Sequence, residues 1–236
     1  MTQCRYNYDS MSHFKKSSSP PRVRPQALAR VAKSDRTRAA ILDSAFEFIW
    51  SHPFRDMTVK SLMDQTGTGR STFYRYFRDL HEVMEGMLEM LQGEIFVAAE
   101  PWLAGVGDPV ALLHETLDGL VRVCYQRGPF IRAMSDAATM DKKFEHAWKQ
   151  FLAGFDDAGT ARIESDQEQS LIPDFPARPV ATALNILNAY MLIEAFGQRP
   201  RKPQEPVRKA LARIWTSTLY GREWAEHETS TLIRKS

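Results

Sequence analysis

Apolar residues recur at helical spacing along most of the chain. Ile41, Leu42, Ala45, Phe46, Phe48 and Ile49 form the first stripe, with Ser34 or Asp35 as a suitable N-cap and Pro53 stopping it at 51–52. Val59, Leu62 and Met63 mark a second helix, opened by Thr58 and ended by Gly67, and a short third runs over 70–76. Leu80, Val83, Met84, Met87, Leu88, Leu91, Ile95 and Phe96 predict a long fourth helix over 79–100, closed by Pro101. Beyond it the spacing predicts helices over 108–126, from Pro129, over 141–163, 179–196 and 205–220, with the polar stretch 164–176 as a loop. No segment alternates with period two, so the fold class is all-α.

The same pattern divides the chain. Residues 1–33 carry Ser17-Ser18-Ser19-Pro20-Pro21, seven bases, one acid and no periodicity, which predicts a flexible basic arm. A small N-terminal helical domain covers 34–78, a helical body 79–224, and a frayed tail 225–236. The longest uncharged run, 179–193, is shorter than the ~20 apolar residues a membrane span needs. No signal-peptide pattern opens the chain, and the only two cysteines are Cys4 and Cys124. A cytoplasmic protein with no membrane partner is expected.

Charge sharpens this picture. The first 78 residues hold 14 Lys+Arg against six Asp+Glu, a net +8, whereas the remaining 158 hold 17 against 23, a net −6. A basic end on an acidic body suits contact with a polyanion, although a solvated basic tail has the same arithmetic.

The informative segment is Thr58 to Phe77. A two-turn helix, a tight turn at Thr66–Gly69 and a short helix follow one another, and Gly67 supplies the backbone freedom of the turn. Phe73 and Phe77 lie four apart and face inward, while Arg70, Ser71, Thr72, Tyr74, Arg75 and Tyr76 point elsewhere. That outer set is rich in donors for base edges and phosphates, which makes the segment a helix-turn-helix. A phosphate-binding loop is the wrong reading of 67–72. Asp64 stands where it needs glycine, Arg70 where it needs lysine, and an amphipathic helix precedes it instead of a strand. On this reading Arg70, Ser71, Thr72 and Arg75 read bases or line the groove. Tyr74, Tyr76, Lys60 and Thr58 contact phosphates, and Lys33, Arg36 and Arg38 reach the backbone or minor groove from the arm.

Residues 35–84 resemble the DNA-binding domain of the TetR family of transcriptional regulators. The likeness rests on Thr58 as helix cap, Thr66-Gly67 at the turn, and Thr72-Phe-Tyr-Arg-Tyr-Phe77 followed by Glu82-Val83. Gly69 replaces the usual capping hydroxyl, and Leu80 replaces a lysine that members aim at a phosphate. In the body, Ala181-Thr-Ala-Leu-Asn-Ile-Leu-Asn188, Ala195-Phe-Gly197 and Ile214-Trp-Thr-Ser-Thr-Leu-Tyr-Gly221 resemble the last two helices of that family's ethionamide-resistance-regulator branch. The resemblance implies a homodimeric repressor of a double-stranded DNA operator, with a long, mostly apolar ligand channel in each subunit.

The body's own residues are compatible with a channel without requiring one. Phe144, Trp148, Phe151 and Phe155 form an aromatic stripe at helical spacing, which is core or ligand wall. Asn185 and Asn188 sit three apart on an otherwise apolar helix. They cap a neighbouring backbone, bond across a subunit interface, or anchor a ligand, the last being what the resemblance implies. The expected channel lies between the helices at 108–126, 141–163 and 179–196. Leu117, Leu120, Cys124, Trp148, Phe151, Phe155, Ile193 and Trp215 wall it, and Asn185 and Asn188 hold one polar group of an elongated apolar effector. On the helices at 179–196 and 205–220, Leu184, Leu187, Met191, Val207, Leu211, Ile214 and Leu219 are enough for both an inner and an outer face, and packed against their symmetry mates these helices would form a four-helix dimer interface.

Catalytic constellations are missing. The six histidines show no i, i+4 pairing and the cysteines stand 120 apart, so neither metal nor cofactor is expected. The expectation is a ligand-responsive transcriptional repressor, and not an enzyme. The alternative is a helical binding or scaffold protein whose basic end clings to anionic surfaces.

Overall fold

The computed structural model describes residues 25–221, with side chains from Asp35 onward. Most of the expected arm and all of the expected tail therefore lie outside the described residues, as does the side chain of Lys33. By its contacts the chain divides into a unit ending at Thr37 and a second from Arg38 onward, and the packing below belongs to the second. Every regular element among the described residues is helical. In order they are α1 (Pro25–Ser51), α2 (Val59–Thr66), α3 (Arg70–Tyr76), α4 (Leu80–Ala104), α5 (Pro109–Ala138), α6 (Lys142–Glu168), α7 (Ala177–Phe196) and α8 (Gln204–Leu219), with a 3-10 turn at Phe54–Asp56.

Helix α1 begins nine residues before the expected cap at Ser34. Pro25 suits a first helical position, and Ala27, Leu28, Ala29, Arg30 and Ala32 are strong helix formers, so the last part of the expected arm is helical. The helix-turn-helix forms as its local chemistry dictates. The Thr58 hydroxyl accepts from the Ser61 amide and the Ser61 hydroxyl accepts from the Thr58 amide, each at 3.0 Å. Gly67 takes the left-handed conformation, φ 66°, that ends α2. Gly69 offers no side-chain cap to α3, and Leu80 is half-buried against the core at the start of α4. The Ser44 hydroxyl bonds the Leu62 carbonyl at 3.1 Å and ties α2 to α1.

Two prolines, one expected to end a helix and one to begin a helix, lie inside helices. Pro101 sits in the last turn of α4, where the Trp102 amide donates to the Thr116 hydroxyl of α5 at 3.1 Å. Pro129 does not start a short helix but lies within α5. It has no N–H for the carbonyl of Tyr125 one turn back, and that carbonyl accepts from Arg201 instead. Helix α5 is also where α7 comes closest, since a Cβ on Gly128 would stand 2.2 Å from the Phe196 carbonyl oxygen.

The polar stretch from Glu164 continues α6 to Glu168, leaving a loop of only 169–176. The reason is Asp166, which is fully buried. It pairs with Arg162 at 3.0 Å and accepts from the Tyr220 hydroxyl at 2.8 Å. That hydroxyl in turn accepts from the Trp102 indole at 2.8 Å, and Arg162 donates to the Trp102 carbonyl at 2.6 Å. Burial pushes the Tyr220 hydroxyl above its ordinary range, so it stays a donor. The network joins α4, α6 and the end of α8. Replacing Tyr220 with phenylalanine leaves Asp166 and the indole each short of a partner. It should cost about 1–3 kcal/mol and lower the Tm by roughly 2–10 °C in a thermal melt. An unchanged Tm would show the network to be incidental.

Candidate functional site

The first site is the face of the helix-turn-helix. Phe73 in α3 and Phe77 just after it are buried, while Arg70, Ser71, Tyr74 and Arg75 are exposed. Tyr74 is 62% exposed, unusual for so large a ring, and its edge rests on Phe73 at 5.3 Å. Neither Arg70 nor Arg75 forms an ion pair with a described residue, so both guanidinium forks are available. Lys60 is exposed but paired with Asp64 at 2.7 Å, a surface pair a phosphate can replace. Thr58 is exposed at its cap, and Thr72 and Tyr76 are half-buried at the rim. Arg36 is exposed. Arg38 differs from expectation: its guanidinium lies 5.2 Å over the Phe77 ring and 3.5 Å from Glu89, so it braces α1 against α4.

The second site is an apolar cavity of about 100 Å³ among α4 to α8. Helix α6 supplies a continuous aromatic wall. Trp148 stacks on Phe151 at 5.2 Å, Phe151 meets Phe155 edge-on at 5.0 Å, and Phe155 rests on Phe96 of α4 at 5.0 Å. Trp215 of α8 meets Trp102 edge-on at 5.7 Å. The Asn188 carbonyl oxygen accepts from the Trp215 indole at 2.9 Å, which leaves its NH2 group with no partner among the described residues. Asn185 is already engaged, because its NH2 donates to Asp156 at 2.9 Å and the Thr182 hydroxyl donates to the other oxygen of Asp156 at 2.8 Å. The two asparagines are thus one free donor and one structural group. No group of His, Cys, Asp and Glu suited to holding a metal occurs among the described residues.

Residues 41–85 match the family model of bacterial regulatory proteins, tetR family, and residues 113–221 match that of the transcriptional regulator EthR, C-terminal domain. The HTH-type transcriptional regulator EthR of Mycobacterium tuberculosis is 27% identical over 210 residues, covering 84% of this chain and 93% of that protein. Its Mycolicibacterium smegmatis counterpart is 26% identical over 196 residues, covering 82% and 90%. A TetR-family structure from Syntrophomonas wolfei shares the fold with a TM-score of 0.68 at 17% identity, covering 78% of this chain and 95% of that one. The chain belongs to the TetR family, in its EthR-like branch.

This TetR-family protein is a DNA-binding transcriptional regulator and not an enzyme. In it, Leu117, Leu120, Cys124, Trp148, Phe151, Phe155, Asn185, Asn188 and Trp215 come together around the cavity as expected. Ile193 does not: it is buried elsewhere, and Leu192 takes the cavity-facing position on α7. Leu192 follows Asn185, Asn188 and Ala189 at the three- and four-residue steps of one helix face, whereas Ile193 is turned a further 100°. Helix α4 contributes Ile95, Phe96, Ala99, Trp102 and Leu103, none of them expected in the wall; the last two lie beyond residue 100, where that helix was expected to end. Their signal was α4's apolar residues on more than one face. Burial pushes the Cys124 thiol up to about 12. In a Cys4→Ser variant the remaining thiol should therefore resist a disulfide reagent at pH 8 until the protein is denatured. Rapid reaction in the native state would show that the cavity stands open to solvent.

Proposed function

We propose that this regulator is a cytoplasmic repressor that binds a palindromic operator as a homodimer and is released by an apolar small molecule in the α4–α8 cavity. The carrying observation is that α4 runs directly from the recognition helix, with its unpaired Arg70 and Arg75, into the cavity wall. A two-fold operator needs two recognition helices about 34–36 Å apart, which a single subunit cannot supply. On α7, Ile186 and Tyr190 lie four apart and are 58% and 69% exposed, an apolar face suited to a symmetry mate. Of the residues expected to serve an inner and an outer face, Leu184, Val207, Leu211 and Leu219 are buried within the subunit, and Leu187, Met191 and Ile214 are half-buried.

A void of about 100 Å³ holds only a few heavy atoms. An elongated effector must therefore displace side chains, and the half-buried Trp148, Leu152 and Phe155 of α6 are among those with solvent on one side. Such a ligand weakens DNA binding only through its preference for the misaligned state, and moving 1:99 to 99:1 takes about 5.5 kcal/mol.

Gel-shift titration on a duplex selected from random sequence, with unlabelled competitor and a salt series, tests the DNA reading. Binding should survive competitor, and Arg70→Ala should cost about 1–3 kcal/mol with relaxed sequence preference. Binding that falls steeply with salt and ignores sequence would favour the scaffold alternative. For the cavity, long-chain esters, amides and ketones should raise the wild-type Tm in a thermal-shift screen. Asn188→Leu should shrink that shift for esters and amides and leave DNA affinity unchanged. Equal shifts in both proteins would remove Asn188 from the ligand site.

A further inference from the structure

Apart from the apolar cavity, a cleft of about 570 Å³ lies between the end of α1 and the facing parts of α5, α6 and α7. Its walls include Trp50, Phe54, Phe144, Arg132 and Arg199. The charges there are not balanced. Arg132 is paired, at 3.2 Å with Asp136 and 3.0 Å with Glu194, and Asp141 is paired with His81 at 3.2 Å. Two arginines beyond α7 are not. Arg199 and Arg201 bring their guanidinium carbons to 4.8 and 4.5 Å from the centre of the Trp50 ring, and neither forms an ion pair with a described residue.

The two differ in what they still have to give. Arg201 is half-buried, stacks at 3.8 Å on Tyr125 and donates to the carbonyl that Pro129 leaves free, so it is committed to the fold. Arg199 is exposed at the cleft and donates no hydrogen bond to a described residue. The ring attracts each cation, but two like charges beside one indole repel each other, and a nearby anion would relieve that repulsion. Beyond the charge, the wall carries three aromatic rings, Trp50 and Phe54 with the buried Phe144 edge-on to Phe54 at 5.6 Å, beside the polar Ser51 and His52.

We propose that this cleft binds a small planar aromatic carboxylate. Its carboxylate lies on the free fork of Arg199, and its ring lies among Trp50, Phe54 and Phe144. The apolar cavity is poorly suited to such a ligand, because its lining holds no cation and an unpaired carboxylate there would face only Thr116 and the two asparagines. The two sites therefore sort ligands by charge.

Isothermal titration calorimetry of the full chain with 2-naphthoate and with the neutral 2-naphthalenemethanol tests this. Wild type should bind one naphthoate per chain and prefer it to the alcohol at least about tenfold. Arg199→Ala should weaken naphthoate binding by about ten- to hundredfold, and Arg199→Glu should abolish it. Arg199 is exposed, and unchanged thermal melts would confirm that both variants fold. Three results would overturn the proposal: no binding of naphthoate to wild type, equal binding by Arg199→Ala, or no preference over the alcohol.

Discussion

Helix α4 has to satisfy two sets of packing partners at once, and the rest of the structure follows from that constraint. Its first half buries Val83, Met84 and Met87, and its second half buries Leu91, Ile95 and Trp102. The apolar residues of the DNA-binding head and of the body accordingly form one continuous cluster. Polar struts reinforce it from the side. Arg127 of α5 lies 4.1 Å over the Phe46 ring of α1 and holds Glu94 of α4 through Nε and Nη2, while Phe46 meets Phe130 edge-on at 5.1 Å. On the proposed function, a close-packed interior does not deform smoothly, so a ligand that changed the cavity wall on α4 would move the helix as a whole. Coupling between cavity and recognition helix needs no further relay.

The head was legible because its determinants are local. Thr58 with Ser61, Gly67 at the turn, and Phe73 with Phe77 each act within a few residues, and the α2 and α3 boundaries came out as expected. The misreadings share the opposite cause. Pro129 reads as a break until Arg201, 72 positions away, fills the carbonyl it frees. The stretch from Glu164 reads as a loop until Tyr220 and Arg162 neutralise Asp166. Partners far apart in sequence decide these cases, and periodicity carries no information about them.

Charge and hydropathy gain meaning from the same placement. The excess of bases in the first 78 residues includes two arginines on α3 with no acidic neighbour, more than a solvated basic surface requires. Helix α7 is, among the described residues, long and apolar enough to cross a membrane. It nonetheless buries Ala181, Leu184, Asn188, Leu192 and Phe196 against the body, which accounts for its composition.

The central claim is that occupancy of the α4–α8 cavity sets DNA affinity through α4. It is tested most directly by filling the cavity from within. Leu120 lines it from α5, and a Leu120→Trp variant places an indole where a ligand would lie. Fluorescence anisotropy of a labelled duplex selected by the wild-type protein then compares the two dissociation constants. The account predicts at least about tenfold weaker binding by the variant, with a Tm no lower than wild type. Equal affinity in a folded variant would contradict it.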